Sequence, residues 1–394
     1  MKILYVTARF PYPPFKGDQA VSYNRLRLLG GKHRITLLTF YQRDLELSYQ
    51  ERIKPFCEKI IAIKLDKLQI LRNALTGVFS ELPLQISYFK SSKFMNCIDN
   101  LLDANDFDII HTFMLRMAEY TKNIKSHKIL DLIDSMQLNF ERRAILEKQP
   151  AKMIFSMELN RIKKYEANIV NKYDVSIVVS KKDQEYIGSS KVVSIPLGVD
   201  TEMFKPCGAL KNDKIIIFSG SMGYFPNENA ALWFTNHVFD CIRREIPNVR
   251  FIIAGNNPSK TMRKLHDGRR IIVTGFVESI VNEMQKAQLA VAPMQSGSGM
   301  QFKILEAMSC GLPVVATSMG VGTISATNNV NIIIEDDPEP FAHACINLLK
   351  DYRLSKNIGD NARQLILAKY SWESHVDKVE VLYKSVMNES VSKK

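Results

Sequence analysis

The sequence predicts an α/β protein made of two doubly wound parallel-sheet domains. Three observations carry this. Short β-branched runs alternate with longer helical stretches through both halves of the 394 residues, the pattern of strand-helix-strand units. The runs are apolar at consecutive positions, which suits parallel strands covered on both faces. The length suffices for two separate cores, and Pro196 to Pro206, bounded by two prolines, reads as the hinge between them.

In chain order, the first half offers Ile3–Thr7, Ile35–Phe40, Ile60–Ile63, Ile109–Thr112, Lys128–Leu132 and Ser176–Val179 as strands. The second half offers Ile215–Ser219, Arg250–Ala254, Ile271–Thr274, Leu289–Pro293, Pro313–Thr317 and Asn331–Ile334. The last helix runs from Trp372 to about Met387, and residues 388–394 read as a frayed end. Ligands in such sheets bind beyond the carboxyl ends of the strands. His111, Ser219-Gly220 and Ser296–Gly299 are expected just past strands, where chemistry belongs.

The stretch Ser296 to Thr317 is the most informative. It reads as a small-residue loop, a short helix starting near Gln301, a Gly311-Leu312-Pro313 stop, and an apolar strand. Gly297 and Gly299 lack side chains, so their amides can approach a ligand closely. Ser298 lies between them, and Met300 and Gln301 lead into the helix. The first amides of a helix have no intrahelical partner and attract phosphate. Lys303 in the first turn opposes the helix dipole, a conflict a bound anion removes. Glu306 shares its face and can accept a hydrogen bond from a sugar hydroxyl. An ordinary surface ion pair is the plainer reading, but Lys before Glu is the poorer order for one. Anion cradle, cation and hydroxyl acceptor together suggest a nucleoside diphosphate-sugar.

The same stretch resembles the donor-site signature of the retaining GT-B glycosyltransferases, glycosyltransferase family 4 (group 1). Glu306-Ala307-Met308-Ser309-Cys310-Gly311-Leu312-Pro313-Val314-Val315-Ala316-Thr317 matches the second of the family's two spaced glutamates and its tail. The first glutamate is replaced by Ser298. The resemblance therefore carries the ribose contact to Glu306, and not the hexose contact to Ser298. It implies two Rossmann-like domains facing a cleft. Residues 1–195 would bind the acceptor, residues 196–371 the nucleotide-sugar, and helix 372–387 would cross back onto the first domain. MKILYVTARFPYPPFKGDQAVSYNRLRLL resembles the first strand and glycine loop, placing Gly17 near the donor, with Asp18 beside it. Asp108-Ile109-Ile110-His111 resembles the strand whose terminal histidine orients the transferred sugar. Leu197 replaces the hinge asparagine. Gly220 lies at the opening strand of the second domain, whose usual Arg and Lys are absent here, and Phe276-Val277 lies at the turn beside the base. Arg116, Asp131, Asp134 and Arg143 are acceptor-side candidates.

The implied reaction is retaining hexosyl transfer from a UDP- or GDP-linked sugar to a hydroxyl of a glycan, lipid-linked or other acceptor. Bacterial envelope or capsular glycan assembly is the implied setting. Lys303 and the amides of Gly299 to Gln301 would neutralise the leaving diphosphate, and closure of the cleft would exclude water. No cofactor and no metal is implied. Asp106-Phe107-Asp108 has the spacing of a metal-holding pair, but it precedes a strand and reads as capping. The alternative is a non-catalytic sugar-nucleotide-binding or partner-binding module, favoured by the loss of the first glutamate. A sugar-nucleotide epimerase is a lesser enzyme alternative.

Composition bounds the rest. No apolar run approaches the ~18 residues that span a bilayer, and the amino terminus reads as a buried strand, not a secretion signal. Six scattered cysteines (57, 97, 207, 241, 310, 345) argue for a reducing cytoplasm and against a zinc site. Residues 1–199 carry 31 Lys+Arg against 21 Asp+Glu, while residues 200–394 carry 22 against 20. A basic first half suggests contact with an anionic inner-membrane surface or a lipid-linked phosphate. Arg142, Arg143, Lys148, Lys152, Arg161, Lys163 and Lys164 read either as a membrane-surface helix or as the solvated face of a helix covering the sheet. Nucleic acid is disfavoured because aromatic interleaving is missing. A nicotinamide cofactor is disfavoured because no G-x-G-x-x-G follows the first strand.

Overall fold

The computed structural model describes residues 1–14, 17–146, 151–207, 214–296 and 300–391. Gly297, Ser298 and Gly299 lie outside the described residues, as does the side chain of Arg143. The chain divides into two compact units, Met1–Pro196 with His375–Lys394, and Leu197–Ser374.

Among the described residues the first unit holds seven strands: β1 (Lys2–Thr7), β2 (Arg34–Tyr41), β3 (Lys59–Lys64), β4 (Ile109–Phe113), β5 (Lys128–Ile133), β6 (Val175–Val178) and β7 (Val192–Ser194). All pairings are parallel, in the order β3-β2-β1-β4-β5-β6-β7. The central strands are apolar on both faces because helices cover both. Leu4, Val6, Leu38, Phe40 and Ile110 pack with Phe94 and Ile98 on one side, where the rings of Phe40 and Phe94 lie 4.3 Å apart. Strand β7 escapes the sequence reading because its three residues are too few to show a period.

The second unit holds β8 (Ile215–Ser219), β9 (Arg250–Ala254), β10 (Ile271–Gly275), β11 (Leu289–Ala292), β12 (Val314–Ala316) and β13 (Ile333–Ile334). They too are parallel, in the order β10-β9-β8-β11-β12-β13. Phe218, Phe234, Phe251 and Phe341 anchor the core. In both sheets the order reverses beside the first strand, between β1 and β4 and between β8 and β11. These are the switch points at which doubly wound sheets leave a crevice for ligands.

The helix Phe302–Ser309 follows β11 and is held from behind. It ends on Gly311, whose φ of 69° is the left-handed conformation that glycine tolerates. Gly311 N–H donates to the Met308 carbonyl and Leu312 N–H to the Ala307 carbonyl, each at 3.0 Å, the paired bonds of a Schellman stop. The helix Tyr352–Lys369 presses against this turn. A Cβ on its Gly359 would lie 2.2 Å from the Gly311 oxygen. Arg363 of the same helix donates to the carbonyls of Ser309 and Phe204. The carboxyl end of the short helix is thereby fixed, which leaves its amino end to face the switch point.

Candidate functional site

The residues after β8 and β11 meet at that switch point. Gly220 follows β8 with φ 153°. A Cβ there would come within 2.8 Å of Asn227 Nδ2 and 3.4 Å of Lys303 Cε. Gly255, after β9, is tighter still, since its Cβ would lie 1.6 Å from the Gly220 oxygen. Two glycines thus form a floor thin enough for side chains to lie directly on it. Asn227 sits in the first turn of the helix Phe225–Phe234, behind Pro226, and is buried. Its Nδ2 donates to the Ser221 carbonyl at 2.9 Å, which leaves Oδ1 to accept from Lys303 Nζ at 2.6 Å. Gln301 Oε1 accepts from the same ammonium at 3.3 Å, and the ammonium lies 5.0 Å over the Phe218 ring.

Lys303 and Glu306 are half-buried and share one face of the helix Phe302–Ser309. Burial pushes the Lys303 ammonium down to about 7, against the pull of Glu306. Burial pushes the Glu306 carboxyl up to about 7, against the pull of Lys303. Both groups therefore sit near the middle of their titration at neutral pH, which is common where side chains are arranged for a ligand. Gln301 is the N-cap, yet its side chain caps no helix amide; it turns to Lys303 instead. Met300 is buried. Phe276 is exposed at the carboxyl end of edge strand β10, and Val277 beside it is partly buried.

Asn227 has no place in the sequence reading. Its partner lies 76 residues along the chain, and an Asn after a Pro reads as turn chemistry. The available signal is its position one turn into the helix that follows a strand-glycine end, where an absent Arg or Lys would have pointed to a substitute.

In the first unit, Gly17 opens the helix Gly17–Leu29 and Asp18 lies in its first turn. Asp18 pairs with Arg9 at 3.0 Å. The Arg116 guanidinium lies 5.4 Å from the Phe89 ring centre. Burial and the Arg9 charge bring it down to about 10, with Asp18 opposing. Arg9, Asp18 and Arg116 therefore share the region beyond the ends of β1 and β4. Asp134 follows β5 and is partly buried.

His111 does not end a strand. Strand β4 runs on through Thr112 to Phe113, because its register against β5 continues to Phe113↔Asp131. His111 is consequently in the middle of the sheet and wholly buried. Its ring stacks on Tyr5 at 4.7 Å and Nδ1 meets the Tyr383 hydroxyl at 2.8 Å. Burial, with repulsion from Arg25 and His375, holds it well below the usual imidazole range, so it is neutral. Asp131, taken from sequence as acceptor-side, is buried too and forms an ion pair with Arg25. Arg25 Nε in turn donates to His375 Nε2 at 2.9 Å. This polar cluster ties the helix Gly17–Leu29, β1, β4, β5 and the closing helix Trp372–Val391 into one core.

Residues 213–351 match the family of glycosyl transferases group 1. A 44.6 kDa protein in the cps region of Klebsiella pneumoniae is 23% identical over 389 residues, 94% of this chain and 96% of that protein. The UDP-Gal:alpha-D-GlcNAc-diphosphoundecaprenol alpha-1,3-galactosyltransferase of Escherichia coli is 27% identical over 217 residues, 50% of this chain and 55% of that one. The chain thus spans about half the length of the second relative. Among solved structures, Anabaena Alr3699/HepE in complex with UDP superposes with a TM-score of 0.69 at 14% identity, covering 98% of this chain and 100% of that one. Fold and matched domain define the class: this is a glycosyltransferase of GT-B architecture that carries a group 1 domain.

Proposed function

We propose that the chain transfers a hexose from a nucleoside diphosphate-sugar, UDP-linked, to an acceptor hydroxyl with retention at the anomeric carbon. The observation that carries this is the Lys303 ammonium, held by Asn227 over the Gly220 floor at the amino end of the helix Phe302–Ser309. A cation beside the first amides of a helix at a switch point suits a diphosphate. Glu306, on the same helix face, accepts from a ribose hydroxyl. The UDP held by the Anabaena structure supports uridine as the base.

The reaction breaks the bond between the anomeric carbon and the diphosphate oxygen, and forms one from that carbon to the acceptor oxygen on the same face. The acceptor proton passes to the departing diphosphate, whose charge Lys303 and the helix amides stabilise. The acceptor is a hydroxyl of a glycan or lipid-linked saccharide, met at an anionic membrane face. The Klebsiella relative from a cps region supports capsular or envelope glycan assembly as the setting.

A thermal-shift panel of UDP, GDP and their hexose conjugates tests the donor. UDP compounds should raise the melting temperature and Glu306→Ala should remove the shift. An unchanged shift in that variant would overturn the assignment of the site.

A further inference from the structure

The helix Lys67–Gly77 is packed the wrong way round for a surface helix. Its inner face is largely polar or small. Asn73 donates to the carbonyls of Tyr88 (3.2 Å) and Lys90 (2.8 Å), and Gln69 donates to Lys90 at 2.8 Å. Gly77 lies so close that a Cβ would meet Ser87 at 2.9 Å. Ile70 adds an apolar contact with the core. The leucines point the other way: Leu68 is 83% exposed, Leu71 58% and Leu75 63%, and the stripe continues through Val78 at 51% and Phe79 at 92%. Their spacing keeps them on one line of the helix, roughly 16 Å long. A contiguous apolar stripe of this kind marks a surface that something covers.

Charge identifies the cover. The helix carries Lys67 and Arg72 and no acidic residue. Arg161, from the helix Ala151–Ile169, donates to the carbonyls of Val78 (2.7 Å) and Gly77 (3.4 Å), which fixes the turn that presents Phe79. Beside Phe79 opens a groove of about 820 Å³ lined by Lys122, Arg161, Lys164 and Lys172 against Glu81 and Glu119. Glu119 is already paired with Lys122 at 2.9 Å, so positive charge is in excess. The helix Ala151–Ile169 adds exposed Met153 and Met157. An apolar stripe flanked by cations is the pattern of a helix lying in a membrane interface. Among the described residues no helix is long and apolar enough to cross a membrane.

We infer that the exposed face of Lys67–Gly77, continued through Val78 and Phe79, docks the first unit onto an anionic lipid bilayer. The apolar stripe enters the headgroup boundary, and the cations of the adjoining groove meet lipid phosphates. The inference rests on the membrane-facing part of the proposed function and not on the donor assignment.

The test uses the full chain and vesicles of phosphatidylcholine with or without phosphatidylglycerol, read by co-sedimentation. The chain should partition onto the phosphatidylglycerol vesicles, less so in added salt. The combined Leu71→Ser, Leu75→Ser and Phe79→Ser variant should lose about tenfold or more of that partitioning, while keeping its melting temperature and its UDP-dependent shift. Replacing Lys67→Glu and Arg72→Glu should weaken binding to the anionic vesicles alone. As an independent readout, Phe79→Trp should show a blue shift of emission on adding phosphatidylglycerol vesicles. Equal partitioning of the serine variant, no preference for anionic lipid, or no emission shift would overturn the inference. So would a concentration-dependent dimer that the serine variant abolishes in the absence of vesicle binding, because the cover would then be a second copy. Failure of the unaltered chain to bind anionic vesicles, with its UDP shift intact, would sink this surface and leave the donor reading standing.

Discussion

Raising the pH from 6 to 8.5 should weaken donor binding, and the site's electrostatics set by how much. A diphosphate needs Lys303 as an ammonium. Burial brings that ammonium down to about 7, so the free protein carries the charge below pH 7 and loses it above. At pH 8.5 the ligand must draw a proton onto Lys303 as it binds. That costs about 2 kcal/mol, roughly a thirtyfold loss of affinity. The pull of the Glu306 carboxylate is already contained in that value of about 7, so thirtyfold is the expected loss. The assay is titration calorimetry with a UDP-hexose, whose esterified diphosphate has no proton to exchange in this range. Affinity should be flat below about pH 6.5 and fall towards pH 8.5. The Lys303→Met variant should bind weakly and with no such slope. A flat wild-type profile, or the same slope in Lys303→Met, would refute the reasoning.

Three further outcomes follow from named contacts. Asn227→Asp puts a carboxylate where an amide oxygen accepts from Lys303 at 2.6 Å; the midpoint of the pH profile should rise by about 1–2 units, with weaker binding at pH 6 because the new charge repels the diphosphate. Gly255→Ala should lower both the melting temperature and UDP affinity, because its Cβ would fall 1.6 Å from the Gly220 oxygen and displace the floor under Lys303. Arg25→Met leaves the fully buried Asp131 carboxylate without its partner, at a cost of about 3–5 kcal/mol; differential scanning calorimetry should show the first unit melting on the order of 10 °C lower.

The strands were legible in the amino-acid sequence because parallel strands covered on both faces must be apolar at consecutive positions. Ile215–Ser219 and Arg250–Ala254 coincide with the sequence reading residue for residue. Lys303 and Glu306 were legible for a different reason: both lie on one helix, and helical periodicity alone puts them on one face. Asn227 was not legible, since its bond to Lys303 depends on the strand order β9-β8-β11, which bends two distant segments to the same crevice. The outward leucines of Lys67–Gly77 were hidden by an ambiguity of the same kind. A periodic stripe says that a helix has two faces, and nothing in the stripe says which one the protein covers.

His111 shows how far a strand boundary decides a residue's chemistry. Thr112 and Phe113 follow it within β4, which sets it in the interior of the sheet and not at the ligand end, since successive rungs of the ladder lie ~3.3 Å apart. There the imidazole is wholly buried and stacks on Tyr5. Nδ1 shares a hydrogen bond with the Tyr383 hydroxyl, and Nε2 lies 3.7 Å from Asp131. Arg25 pairs with Asp131, and His111, stacked on Tyr5, lies at the edge of that buried ion pair. The switch point of the first unit is left to Arg9, Asp18 and Arg116, which lie beyond the ends of the same two strands. A half-buried arginine next to a carboxylate there is suited to orienting an acceptor hydroxyl. Substituting Arg116→Met should therefore raise the KM for acceptor with little change in UDP binding, whereas His111→Phe should lower the melting temperature with no separate effect on KM.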